Sequence, residues 1–173
     1  MFKVKSGEID KLGLLYERYK KMLFAYFFRS TNDRYTSEDL VQIVFTKILT
    51  YRHNFSGTGK FTTWMYRIAY NVSIDHFRKN QRYQMHGELN EMSAVDEQTP
   101  EIATLQNEQI QLLHKALAAL SHENRTVLLL SKFQKLKYKE IGHILDCSEN
   151  TVKVKVFRAL SDLKKNYNLL EKS

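Results

Sequence analysis

Tyr138-Lys139-Glu140-Ile141-Gly142-His143-Ile144-Leu145, then Asp146-Cys147-Ser148, then Glu149-Asn150-Thr151-Val152-Lys153 and on to Leu163, is the stretch that decides the fold. Tyr138, Ile141, Ile144 and Leu145 recur at helical spacing and form one apolar face. Val152, Val156, Ala159, Leu160 and Leu163 form another. Between them, Asp146 can take the left-handed conformation that closes a helix. Ser148 can cap the next helix by accepting from its free N–H groups. A short helix, a tight turn and a longer basic helix make a helix-turn-helix, whose second helix fits the DNA major groove.

If Val152, Val156 and Leu160 point inward, a step of roughly 100° per residue turns Asn150, Val154, Phe157 and Ser161 outward. Thr151, Lys153, Lys155 and Arg158 then lie on the flanks. Amides, hydroxyls and apolar groups read base edges, while Lys and Arg hold phosphates. A helical hairpin with a solvated basic face has the same periodicity, although an outward Val and Phe on one helix fit it less well.

Composition sets the bounds. A chain of 173 residues can form one medium domain or two small ones. One proline and six glycines are few for an all-β protein. The net charge of +8 suits a polyanionic partner, nucleic acid or an anionic membrane surface. No run approaches the roughly 18 apolar residues of a membrane span. Met1-Phe2-Lys3-Val4-Lys5 lacks the apolar centre of a signal peptide. The single cysteine, Cys147, fits a reducing cytoplasm and reads as core filler in the turn.

Residues 8–30 carry Ile9, Leu12, Leu15, Tyr16, Tyr19, Met22, Leu23 and Tyr26 near i, i+3, i+4, i+7, which predicts a long amphipathic helix. Thr36-Ser37-Glu38-Asp39 reads as the next helix start, with Thr36 and Asp39 fitting a capping box. In the helix that follows, Leu40, Val41, Val44 and Ile48 suffice for a core. Ile43 and Phe45, beside Asp39 and Gln42, then form either a protein-binding face or the second side of a doubly buried helix.

Phe55-Ser56-Gly57-Thr58-Gly59-Lys60-Phe61 is a Gly/Ser/Thr loop without the Gly-Lys-Ser/Thr ending of a phosphate-binding loop. Thr62 or Thr63 can cap a helix with Trp64, Met65, Ile68, Ala69 and Val72 on one side. Tyr66, Arg67, Tyr70, Asn71, His76, Arg78, Lys79 and Arg82 are assigned to its other side and end. Rings interleaved with cations suit a single strand, with bases stacked on the rings and an unstacked base closed under the loop. Taken alone, the same rings read first as core or surface aromatics.

From Gln84 to Ile110 there is no Lys or Arg; six acids and Pro100 mark a linker between two basic halves. Ile110, Leu113, Ala116, Leu117 and Leu120 then predict a helix, and Ser121-His122-Glu123-Asn124 opens another. With the helix-turn-helix these complete a four-helix domain. The six histidines are scattered and form no metal-ligand pattern; catalytic and metal sites are both expected to be absent, and no cofactor is implied. A stand-alone helix-turn-helix regulator is the main alternative function; a DNA-cutting enzyme lacks the acidic or nucleophilic cluster it needs.

The segments Ser37–Phe45, Phe61–Asn71 and Asp75–Lys79 resemble conserved region 2 of the extracytoplasmic-function (ECF) sigma factors, the promoter-recognition subunits of bacterial RNA polymerase. Ala118–Ser121, Tyr138–Ile141, Thr151–Lys153 and Arg158–Leu160 resemble their region 4, in the family's order and spacing. The resemblance implies an all-α chain of two small helical domains: residues 1–83 (region 2), an acidic linker over 84–109 passing near the active-site channel, and residues 110–173 (region 4). It implies that Asp39, Gln42, Ile43 and Phe45 dock on the clamp helices of core RNA polymerase, whose flap is a second contact. It implies that Ser56, Lys60, Phe61, Trp64, Tyr66, Arg67, Tyr70 and Asn71 hold the −10 non-template strand. Glu149, Asn150, Thr151, Lys153, Val154, Lys155, Phe157 and Arg158 would contact the −35 duplex. It also implies an anti-sigma factor as partner, a cytoplasmic location, and domains in changing relative positions when free. Ile43 replaces a usual acid, Asp146 a common glycine, and Val154 and Phe157 frequent polar residues, so thymine-methyl contacts are expected at the upstream element.

Overall fold

The computed structural model describes residues 1–85 and 104–172, and every regular element among them is helical. The linker expectation for 84–109 falls mostly on residues outside that range. A short helix α1 (Phe2–Lys5) and a 3-10 turn (Ile9–Lys11) lead into α2 (Leu12–Thr31), so the long helix expected from residue 8 begins at Leu12. Asn32, left-handed at φ 54°, closes α2. Asp33 then caps α3 (Arg34–Thr50), its carboxylate accepting from the Thr36 N–H at 2.7 Å. The helix therefore starts about a turn before the Thr36–Asp39 start expected: an Asn-Asp pair supplies both the left-handed stop and the cap, and such an N-cap contributes about 1 kcal/mol.

A 3-10 turn (Arg52–Asn54) and the loop lead to α4 (Phe61–Met85). Its first turn is set by the Lys60 carbonyl, which accepts from the Thr63 and Trp64 N–H groups, so Thr62 and Thr63 are inside the helix. The C-terminal half holds α5 (Thr104–Ala118), α6 (His122–Leu128) with a π turn at Leu129–Phe133, α7 (Tyr138–Leu145) and α8 (Glu149–Glu171). Helix α5 starts within the stretch read as linker. Ser121 caps α6 by accepting from Asn124 N–H at 3.3 Å, as its sequence suggests.

The two halves share one apolar core. Leu23, Tyr26, Phe27, Val44, Ile48, Met65, Tyr66 and Ala69 of the first half are continuous with Leu117, Val127, Leu128, Leu130, Ile141 and Val156 of the second. Helix α4 packs on α7, and α2 packs on α5 and α6. The two domains, expected to change relative position when free, meet in this structure in one closed arrangement.

Candidate nucleic-acid interfaces

The turn between α7 and α8 is built as its residues require. Asp146 takes φ 55°, and the Cys147 N–H donates to the Gly142 carbonyl at 3.0 Å. Ser148 Oγ accepts from the Thr151 N–H at 3.1 Å. A Cβ on Gly142 would lie 2.6 Å from the Cys147 carbonyl oxygen, so this close approach needs glycine. Cys147 is half-buried against the core.

Val152, Val156 and Ala159 fix the inner face of α8. Leu160, expected inward, is 39% exposed, because Ala159 and the half-buried Leu163 complete the stripe without it. Glu149, Asn150, Thr151, Lys153, Val154, Phe157 and Arg158 are all exposed, and Phe157 is 76% exposed. Lys155 differs: it is half-buried and forms an ion pair with Glu123 of α6. An open ring and an open valine beside cations are suited to base edges and phosphates in turn.

On α3, Asp39, Gln42 and Ile43 share an exposed stripe, with Ile43 43% exposed. Phe45 is a correction: it is buried and meets the Tyr16 ring edge-on at a centroid distance of 4.9 Å. Phe45 is two residues past Ile43 and so nearly opposite it on the helix. Beside the stripe, Tyr16, Lys20, Lys21, Phe24, Phe28, Arg34, Glu38, Val41 and Gln42 line an open cleft of about 800 Å³, which pattern reading missed. It lies between two helices, and amphipathicity marks each helix without saying where neighbours stop short of touching.

The α4 surface divides in two. Arg67, Asn71, Arg78 and Arg82 follow i, i+4, i+11, i+15 down one exposed face. Phe61 and Trp64 are half-buried in a ring cluster with Phe55, at 6.1 and 5.5 Å from it. Ser56 and Lys60 are exposed in the loop. Tyr66 is the second correction: it is fully buried, against Tyr26, and its hydroxyl donates to Gln134 Oε1 at 2.6 Å. It lies beside Met65 on the inner face, where sequence periodicity for a helix covered on two sides is ambiguous. Burial pushes its pKa well up, and that of Tyr26 up to about 12.

The second half covers much of this aromatic side. Tyr70 is half-buried, its ring stacked on His122 at 6.3 Å. His122 Nε2 lies 3.1 Å from Ser73 Oγ, and its ring is 4.5 Å from that of Phe77. Burial, then the Arg125 charge, push the His122 pKa down to about 4. Arg125 itself is buried: it donates to the Ser30, Ala118 and Leu120 carbonyls and lies over the Phe77 ring at 5.6 Å. Sequence reasoning missed it, because Ser30, the partner that joins it to the first half, is 95 residues away in the chain. Lys60 Nζ pairs with Glu140 at 2.9 Å, linking the loop to α7, and holds the Glu140 carboxyl below its ordinary range. Among the described residues no His/Cys/Asp/Glu group could hold a metal ion, and no helix is long and apolar enough to cross a membrane.

Comparison with known proteins assigns this arrangement. Residues 15–83 match the sigma-70 region 2 family, and residues 110–163 match sigma-70 region 4. The chain is 32% identical over 160 residues to the RNA polymerase sigma factor YlaC of Bacillus subtilis, covering 91% of this chain and 92% of that one. It is also 32% identical to the ECF RNA polymerase sigma factor SigX of the same organism, over 93% of this chain and 86% of the relative. The fold matches that of the sigma factor RpoE from Bartonella quintana, solved with the anti-sigma factor NepR, at a TM-score of 0.75 and 22% identity over 90% of this chain and 96% of that one. It also matches CnrH, solved with the cytosolic domain of CnrY, at a TM-score of 0.71 and 19% identity over 96% and 94%. The chain belongs to the ECF sigma factors of RNA polymerase, and it is a transcription initiation factor.

Proposed function

We propose that this chain brings core RNA polymerase to its promoters through three separate surfaces and has no catalytic activity of its own. The α3 stripe Asp39, Gln42 and Ile43 docks on the clamp helices. The Ser56–Lys60 loop, Phe61, Trp64, Tyr70 and the Arg67–Asn71 edge hold the opened −10 strand, with Arg78 and Arg82 continuing the track. Helix α8 reads the −35 duplex through Asn150, Val154 and Phe157, while Lys153 and Arg158 hold phosphates. The single observation that carries this is Phe157: a ring at the centre of a basic helix face is left 76% exposed by the packing of the described residues. Lys155 is shared between its ion pair with Glu123 and the backbone of the duplex.

In the closed arrangement the aromatic side of α4 is occupied by α6 and α7, so strand loading requires the halves to part. Core polymerase, which holds the two domains apart on clamp and flap, supplies the energy for that separation. Because the sigma factor RpoE was solved with an anti-sigma factor, we infer that an anti-sigma factor also restrains this chain, and that it works in the cytoplasm with its polymerase. Promoter binding weakens with salt, since several phosphates are neutralised.

Run-off transcription with purified core polymerase tests the proposal. Specific transcripts are expected only when the chain is added. Specific duplex binding that needs no polymerase, with no effect on initiation, would instead identify a stand-alone regulator.

A further inference from the structure

We propose that the N-terminal turn Met1–Lys5 braces the Ser56–Lys60 loop, with Phe2 and Lys5 as positioning residues for −10 base recognition. The proposal rests on the strand-binding role given to the loop above.

Apart from the Lys60–Glu140 pair at its end, the loop has little to hold it in one shape. Gly57 sits at φ +77° and Gly59 follows two residues later. Its internal bonds are a Ser56 Oγ to Thr58 Oγ1 contact of 2.8 Å and a Thr58 N–H to Ser56 Oγ bond of 3.4 Å. A glycine-rich segment loses more backbone freedom on ordering than any other, so a fixed loop needs outside support.

That support comes from about fifty residues away in the chain. Lys5 Nζ donates to the Phe55 carbonyl at 2.7 Å, at the root of the loop. The Phe2 ring packs on Phe55 at 5.4 Å and also lies against Gly57. A Cβ on Gly57 would fall 2.2 and 2.6 Å from Phe2 ring atoms, so the ring fills the space a side chain there would use. Phe55 in turn meets Phe61 and Trp64, which carries the contact into the first turn of α4.

The turn is itself a built unit. Lys5 N–H bonds to Met1, Ser6 N–H to Phe2, and Glu8 N–H to Lys3. A helix of four residues does not persist alone; the fully buried Val4 docks it. Phe2, by contrast, remains 62% exposed, so its contact with the loop contributes little to global stability. The matched sigma region begins at residue 15, so the turn lies outside it. A loop held in its binding shape gives up less entropy when a base enters, and so discriminates better between bases.

The test uses holoenzyme reconstituted from the full chain and promoters that differ at single non-template −10 bases, with opening followed by 2-aminopurine fluorescence. Phe2→Ala and Lys5→Met are each expected to lower the ratio of opening on preferred over substituted bases about threefold to tenfold, as the ordering cost returns to the bound complex. Core affinity, melting temperature and −35 base preference should stay at wild-type values, and Phe2→Tyr and Lys5→Arg should restore the ratio. If Ser56→Ala with Thr58→Ala flattens the ratio while Phe2→Ala and Lys5→Met do not, the brace is overturned and the loop keeps its role. If neither set changes the ratio, the strand-binding role of the loop falls, and the brace with it. A loss of ratio accompanied by loss of core affinity or melting temperature, without rescue, would mean that the turn serves stability alone.

Discussion

Helix α4 and helix α8 both carry aromatic residues among cations, yet they use them in opposite ways. On α4, Tyr66 is fully buried and Tyr70 half-buried against the second half of the chain. On α8, Phe157 is 76% exposed and Val154 49% exposed. The difference lies in what competes for each face. The α4 surface is large and apolar enough that α6 and α7 cover it when no strand is present. The α8 surface is flanked by Lys153 and Arg158, whose solvation disfavours burial, so it stays exposed. On the function proposed above, the closed chain exposes the surface that would find a promoter and covers much of the surface that would open it.

Equivalent truncations on the two helices should separate these roles. Tyr66→Ala removes a buried ring and its bond to Gln134, and is expected to cost about 3–5 kcal/mol in chemical denaturation. Phe157→Ala should change stability by no more than about 0.5 kcal/mol. In promoter selection the order reverses: Phe157→Ala should cost about 1–3 kcal/mol of discrimination at one upstream position, read by footprinting on single-base variants. Val154→Ser should shift base preference at a neighbouring position, and an unchanged preference would remove Val154 from the reading face.

Smaller effects probe the contact between the halves. The Lys60–Glu140 pair is partly exposed, so Glu140→Gln should loosen the closed form by only about 0.2–1 kcal/mol, visible as a change in interdomain energy transfer. The closed form should also respond to pH. His122, with a pKa of about 4 when closed, would titrate near its ordinary 6.5 when released. The open form then binds more protons between those values, so the closed form is at full strength above about pH 6.5 and weakens as pH falls toward 4. Tyr70, Glu123 and Arg125 surround the ring, and partial solvent access damps the response. His122→Phe should flatten the energy-transfer profile across that window.

Much of this was legible in the amino-acid sequence, and the failures share a cause. The helix-turn-helix was readable because its signals are local: Asp146 for the left-handed stop, Ser148 for the cap, and a clean apolar stripe from Val152 to Ala159. The helical class and the two family regions followed from periodicity and motif order. Phe45 and Tyr66 were misplaced because both helices are covered on more than one side, and there a 3.6-residue period no longer separates core from surface. Arg125, the α2–α3 cleft and the Phe2–Gly57 contact depend on partners 20 to 95 residues away, which no local pattern encodes.

The most direct measurement is the distance between spin labels at Asn80 on α4 and Lys139 on α7, both exposed, in a Cys147→Ser background. The labels should report one narrow distance in the free chain and a clearly longer one in the holoenzyme bound to promoter. A distance that stays unchanged in the transcribing complex would contradict the account, because the strand would then have to be held without uncovering α4.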